Sequence, residues 1–142
     1  MAITQAVANS FKTEVLTGTH NFTATTGDSF KLALYTNSAT ISKSTTAYTT
    51  TAEVSGTGYT ATGNTLTSVT PVLSSDTAVC DFADTSWTSA TITARGALIY
   101  NDSQSDKAVV ILDFGGDKTS TAGTFTIQFP AADASNAILR LA

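Results

Sequence analysis

Cysteine occurs once in this chain of 142 residues, at Cys80, so no disulfide can form within it and packing alone must hold the fold together. Charge is nearly as scarce. Only 13% of residues are charged, well under the usual quarter, and Thr and Ser fill the gap. The seven bases, Lys12, Lys31, Lys43, Arg95, Lys107, Lys118 and Arg140, never form a run, and the formal net charge is −4. That balance argues against a protein whose work is to neutralise nucleic-acid phosphates. Histidine is also single, so any Ser-His-Asp or Cys-His site would have to use His20, and no nucleophile-elbow pattern supports it. Apolar runs of membrane-spanning length are absent. The opening "MAITQAVANSFKTEVLTG" has neither the basic start nor the unbroken apolar core of a signal peptide, so a soluble product made in a cytoplasm is expected.

The size is that of one ordinary domain, taken as residues 1–142. Thr is β-branched and suits a half-exposed pleated strand, so its abundance favours sheet in nearly every window after residue 22. "FKLALYT" alternates Phe30, Leu32 and Leu34 against Lys31, Ala33 and Tyr35, and "NTLTSVT", "TAVCDF" and "TITARGALIY" continue the period of two. "KAVVILDF" is apolar on both faces, as for a strand between two layers. "TFTIQFP" turns Phe125, Ile127 and Phe129 inward until Pro130, and "AILRLA" makes a last short strand. Short strands separated by Gly, Asn, Asp and Ser predict an antiparallel β-sandwich or jelly roll.

One helical signal stands at the start. Thr4 is a cap candidate, Ile3, Val7, Phe11 and Val15 recur at four-residue steps, and Gly18 provides a stop, giving a helix or arm over residues 1–18. Its stripe either packs on the chain's own sheet, as most amphipathic helices do, or docks on a neighbouring subunit. Residues 36–63 are rich in Thr, Ser, Gly and Ala, with Ile41, Tyr48, Val54 and Tyr59 as the larger apolar anchors. Such a long excursion is expected to be mobile or ordered by a partner. "GGDKTSTAG", residues 115–123, is expected to be a shorter loop.

Chemistry-bearing patterns are weak. Cys80 sits in "TAVCDF" as a small strand hydrophobe with no basic neighbour to lower its pKa, and one Cys with one His cannot complete a zinc site. "NDSQSDK" offers Asn101, Asp102 and Asp106 as oxygen donors, but it lacks the central glycine and terminal Glu of a calcium loop, and Lys107 closes it. The simpler reading is a hairpin turn between "RGALIY" and "KAVVILDF", with solvated carboxylates. "FADTSW" reads as a tight connection. "SGTGYTATG" is followed by no helix, so it is not a phosphate loop. Nothing sets a carboxylate pair apart for glycoside hydrolysis. Tyr35, Tyr48 and Tyr59, on or near the Thr-rich region, have the chemistry of a protein- or sugar-binding surface.

These features define a non-catalytic β module with no cofactor or metal motif, one that works by contact. The segments "MAITQAVANSFKTEVLTGTHNFT", "FKLALYT", "ATITARGALIY", "KAVVILDFGGDKTSTAGTFTIQFP" and "AILRLA" together resemble small virion proteins of tailed double-stranded DNA phages, most of all the jelly-roll cement or decoration proteins of the capsid. The resemblance implies a homodimer or homotrimer on the outer head surface. It implies binding to the major capsid protein and stabilising of the shell, with no enzyme activity, nucleic acid or membrane partner. A tail, baseplate or fibre-associated module that binds host carbohydrate or another tail protein is the second reading, and a cell-wall hydrolase the third. The residues singled out for partner binding are Ile3, Val7 and Phe11 on the helix and Tyr48 and Tyr59 on the excursion.

Overall fold

The computed structural model describes residues 2–142. Strand β1 (Ala6–Val7) leads into helix α1 (Asn9–Leu16), followed by β2 (Phe30–Tyr35), β3 (Asn64–Thr65), β4 (Ser68–Ser74), β5 (Thr77–Phe82), β6 (Thr85–Asn101), β7 (Lys107–Ile127) and β8 (Leu139–Leu141). The strands make an antiparallel five-stranded sheet, β1-β7-β6-β2-β3, and an antiparallel three-stranded sheet, β4-β5-β8. The all-β sandwich with one short helix expected from the Thr-rich alternation is the fold.

The β6–β7 hairpin is its spine. Asn101 pairs with Lys107 at the tip and Thr85 with Ile127 at the far end. "NDSQSDK" is therefore the hairpin turn: the Asn101 side chain accepts from the Ser103 N–H, and Ser105 and Asp106 take positive φ values of 56° and 58°. Strands of 17 and 21 residues coil through register shifts, such as the one between Ala94 and Gly96. Residues 115–123 are not the loop expected of them. They belong to β7, where Thr119 stands opposite Thr93 and Gly123 opposite Ala90. Hydroxyls join this outer part of the ribbon, with Thr93 Oγ1 3.2 Å from Thr119 Oγ1 and Ser120 Oγ donating to the Ala90 carbonyl at 2.8 Å. A ribbon held this way shows little of the apolar alternation that marks a strand in sequence.

β2 lies between β6 and β3, and both of its faces are covered. Register puts Phe30, Leu32 and Leu34 on one face with Asn101, Ile99 and Ala97, and Ala33 and Tyr35 on the other with Leu98 and Gly96. Phe22 stacks on Phe30 at 4.4 Å, and Phe82 of β5 follows at 5.8 Å, joining the small sheet to the first face. The excursion covers the second face. Tyr48 stacks on Tyr100 at 4.8 Å, Tyr35 donates to the Thr49 carbonyl at 2.7 Å, and Tyr100 donates to the Thr62 carbonyl at 2.7 Å. Residues 36–63 are thus ordered by the chain's own sheet, through the bridges Ile3↔Ile41, Ala47↔Lys107 and Tyr35↔Glu53. Only Lys31 of the six β2 residues escapes full burial.

The N-terminus also departs from expectation. The helix begins at Asn9 after Ala8, which supplies no side-chain cap, and Thr4 lies outside it. Ala6 and Val7 instead pair with Ile111 and Val110, and the Ala8 N–H donates to the Val109 carbonyl at 2.9 Å. Bonding to a sheet edge outcompetes a first helical turn that has no cap. The stop is where the sequence puts it, with Gly18 at φ +77° just past Thr17. β7 ends at Ile127, so Phe129 lies beyond the strand, its N–H held by Asp84 Oδ1 at 2.8 Å.

Gly63 sits at φ +79°, where an added Cβ would overlap the Leu32 carbonyl oxygen, whereas Gly116 has open space around it. Gly63→Ala is expected to cost about 2 kcal/mol or more in urea denaturation, and Gly116→Ala less than about 0.5 kcal/mol. Equal midpoints for the two variants would refute this account of the close approach of the excursion to β2.

Candidate functional site

Three constellations gather the chain's chemistry. The first is Glu53, in the excursion. Tyr48 donates its hydroxyl to Glu53 Oε2 at 2.6 Å, Tyr59 donates to Oε1 at 2.6 Å, and the Thr62 N–H donates to Oε1 at 2.8 Å. The Tyr59 hydroxyl in turn accepts from the Leu34 N–H at 3.0 Å. One carboxylate thereby ties both tyrosines to β2 and closes the wrap. Burial, with the anion of Glu53 next in weight, pushes the Tyr48 hydroxyl up to about 12 and that of Tyr59 upward as well. Burial raises Tyr35 and Tyr100 too, so all four tyrosines are held neutral well above their ordinary range.

The second is built on His20 and Asn101, both buried. Asn101 Oδ1 accepts from the Ser103 N–H at 3.1 Å, which fixes its amide. The Nδ2 then donates to His20 Nδ1 at 2.9 Å and to Asp28 Oδ2 at 2.8 Å. With Nδ1 accepting, the neutral His20 ring carries its proton on Nε2 and donates it to Glu14 Oε1 at 2.9 Å. Glu14 Oε2 lies 3.8 Å from Lys107 Nζ. Helix α1, the loop of residues 20–28 and the hairpin tip are joined through this one network. Burial raises the Asp28 carboxyl, but hydrogen bonds from the Asn101 side chain, the Asn21 N–H and Gln104 outweigh it and set the group below its usual range. His20 has no serine or cysteine among its partners, and the ring rests among Phe11, Phe22 and Phe30.

The third is an apolar cleft of about 710 Å³ between α1 and the small sheet. Val7, Phe11 and Val15 form one wall, and Ala78, Cys80 and Leu139 the other. Burial pushes the Cys80 thiol up to about 11, so it is protonated at neutral pH and unsuited to nucleophilic work. Leu16 and Leu141 stand at the mouth, 80% and 64% exposed. Leu73, in register with Ala78 and Leu141, continues the apolar face and is 72% exposed. A shallower groove of about 550 Å³ runs beside the outer part of β7, lined by Phe114, Phe125, Ile127 and Ile138.

The residues singled out from the sequence divide among these places. Ile3 is buried against Gly96, where a Cβ would collide with it, and bridges to Ile41. Val7 and Phe11 line the cleft, Phe11 buried and Val7 half-buried. Tyr48 and Tyr59 turn inward to Glu53, and Tyr59 packs on Trp87 with ring centres 5.7 Å apart. All five contribute to the chain's own core or its margin, and the structure brings only Val7 and Phe11 together at an opening. The exposed Leu16, Leu73 and Leu141 were missed. Leu16 falls off the four-residue stripe, which was the available signal.

Among the described residues, no three His, Cys, Asp or Glu side chains gather to hold a metal ion, and no helix is long and apolar enough to cross a membrane. No family model matches the chain, nor does any curated protein or solved structure.

Two predictions follow from the polar networks. An unfolded tyrosine ionises near pH 10, so the stabilisation held by the Tyr48 hydroxyl is complete below that pH and lost as pH rises towards its folded value of about 12. Tyrosinate absorbance is therefore expected to appear only with alkaline unfolding. Glu53→Gln should bring it to lower pH and cost about 2 kcal/mol in urea; an unchanged titration would remove Glu53 from this role. The lowered Asp28 group contributes stability present above about pH 4 and lost as pH falls through its folded value. Asp28→Asn should lower the midpoint at neutral pH and flatten the acid limb of stability against pH. An acid limb as steep as that of the parent protein would exclude Asp28 as its source.

Proposed function

We propose that this chain is a virion structural protein that works by contact, a capsid cement or decoration protein on the outer head surface of a tailed phage. The observation that carries the reading is an inversion of roles. Glu53, His20, Asn101 and Asp28 are engaged in internal hydrogen bonds, while Leu16 and Leu141 are exposed at the mouth of the apolar cleft and Leu73, in register with Leu141 through Ala78, is exposed beside them. Exposed apolar side chains grouped this way are the mark of a protein–protein surface. The resemblance of the opening, hairpin and tail segments to phage virion proteins supplies the particular partner, the major capsid protein. Self-association into a homodimer or homotrimer is part of the proposal, since identical copies repeat around the symmetry axes of a shell.

A tail-associated module that binds host carbohydrate would need outward-facing aromatic rings. Tyr48, Tyr59 and Trp87 are occupied with one another or with Glu53, which favours the shell over the sugar. Co-sedimentation of the purified protein with parent capsids assembled without it is expected to saturate at a fixed ratio to the major capsid protein. No co-sedimentation, together with retention on an immobilised host glycan, would replace the cement reading with the tail reading.

A further inference from the structure

His20 is the single histidine of the chain, its side chain is closed to solvent, and both of its ring nitrogens are engaged. Which of them carries the proton is decided by Asn101. Its Oδ1 accepts from the Ser103 N–H at 3.1 Å, and its two Nδ2 hydrogens go to His20 Nδ1 at 2.9 Å and to Asp28 Oδ2 at 2.8 Å. Turning the amide over would set a donor against the Ser103 N–H and an acceptor against the Asp28 carboxylate, so one orientation alone serves all three partners. His20 Nδ1 must therefore accept. The ring is bound in its neutral form, with its proton on Nε2 and given to Glu14 Oε1 at 2.9 Å.

A second proton on this ring meets a conflict. At Nδ1 it would point at the Asn101 amide hydrogens, donor against donor, in a buried site. The charges around the ring attract its cation without removing that conflict. Glu14 of α1 faces Nε2, not Nδ1, and its other oxygen lies 3.8 Å from Lys107 Nζ of β7. Asp28, from the loop of residues 20–28, already accepts at Oδ2 from Asn101 and from the Asn21 N–H at 2.9 Å, and its Oδ1 faces Gln104 Nε2 at 3.5 Å. Burial raises the Asp28 carboxyl, and these donors outweigh it, so Asp28 is an anion wherever a histidine titrates and keeps its claim on the Asn101 amide. Phe11 of α1, Phe22 of the loop and Phe30 of β2 complete the surroundings and carry no charge.

We infer that His20 is a proton-operated latch: neutral, it fastens α1 to the hairpin tip through Glu14 and Asn101; protonated, it keeps Glu14 and parts from Asn101, so that α1 and the turn bearing His20 come away from the tip together. The front of this unit stays tethered, because Ala6 and Val7 remain paired with β7 and the Asn9 N–H donates to the Lys43 carbonyl at 2.8 Å. An eight-residue helix freed from the sheet does not hold its own hydrogen bonds, so α1 frays once released. Phe11 and Val15 of α1 wall the apolar cleft, which is therefore complete only while the ring is neutral. Every contact used here is internal to the chain, and the inference stands apart from the capsid reading.

Nitrogen NMR of the full chain from about pH 8 to about pH 4.5 reads the proton occupancy of each His20 ring nitrogen, with no second histidine to confuse the signals. Hydrogen exchange in the same samples reads the protection of the α1 amides against those of β2. At the neutral end Nδ1 is expected bare and Nε2 protonated. As the ring takes its second proton, protection in α1 is expected to fall at least about tenfold while β2 keeps its own. His20→Gln retains a donor for Glu14 without a titrating ring, and should make α1 protection independent of pH above the carboxylate range. A proton on Nδ1 at neutral pH overturns the inference. So does a ring that gains its second proton with α1 protection unchanged, a loss of protection that comes only with carboxylate titration or global unfolding, or the same pH dependence in His20→Gln. The unaltered chain decides the question by itself if His20→Gln does not fold.

Discussion

The wrap of residues 36–63 around the main sheet depends on one carboxylate. Glu53 accepts two tyrosine hydroxyls and a backbone N–H, and the tyrosines it holds come from either side of it in sequence. The segment is mostly Thr, Ser and Gly, whose small side chains do little to offset the entropy of ordering a long chain. Charge-assisted hydrogen bonds, roughly twice as strong as neutral ones, provide what apolar burial there does not. With the wrap closed, Tyr35, Tyr100, Ala33 and Leu98 are buried. A single five-stranded sheet thus becomes the middle layer of three, and strands such as β2 and the first part of β7 are apolar on both faces.

On the other side of that sheet, the Asn101 amide has a comparable place. Its two donors and its oxygen are all engaged, so burial at the hairpin tip leaves nothing unpaired. Through His20 the same network reaches Glu14 on α1, and Phe11 packs on the ring at 4.9 Å. The helix, too short to be stable alone, is docked by Glu14 on His20 and Lys107 and by Phe11 on His20 and Phe22. The groups that elsewhere carry catalysis are here used to join elements, which is why the outer surface, not a polar pocket, carries the functional argument.

The elements legible in the sequence were those fixed by local pattern: the period of two in "TAVCDF" and "FKLALY", the Asn-Asp-Ser turn at the hairpin tip, and the glycine stop after α1. What escaped was set by distant partners. Ala6 and Val7 are a plausible helical turn until the edge of β7 offers them hydrogen bonds more than a hundred residues away. Residues 115–123 have the composition of a loop and become strand only because β6 extends alongside them. Tyr48 and Tyr59 were recognised as the anchors of the excursion, but the direction they face depends on Glu53, whose role no short-range pattern announces. For the same reason the helix stripe drew attention to its buried positions, while Leu16, beside it, is the one that projects into water.

The small sheet is where stability and contact meet. The face that turns Ala78, Cys80 and Leu139 towards α1 also carries the exposed Leu73 and Leu141, while Val79 is buried on the opposite face, in register with Val72 and Arg140. The ladder of β4 and β5 is interrupted by a register shift between Val69 and Val72. Anything that binds the folded face and not the unfolded chain adds its binding free energy to folding, by about 2.7 kcal/mol at one hundred times the dissociation constant. A protein with one cysteine, no disulfide and little surface charge would on this basis be most stable when docked. Under the capsid-binding proposal the exposed Leu16, Leu73 and Leu141 would become an interior once the partner lay over them.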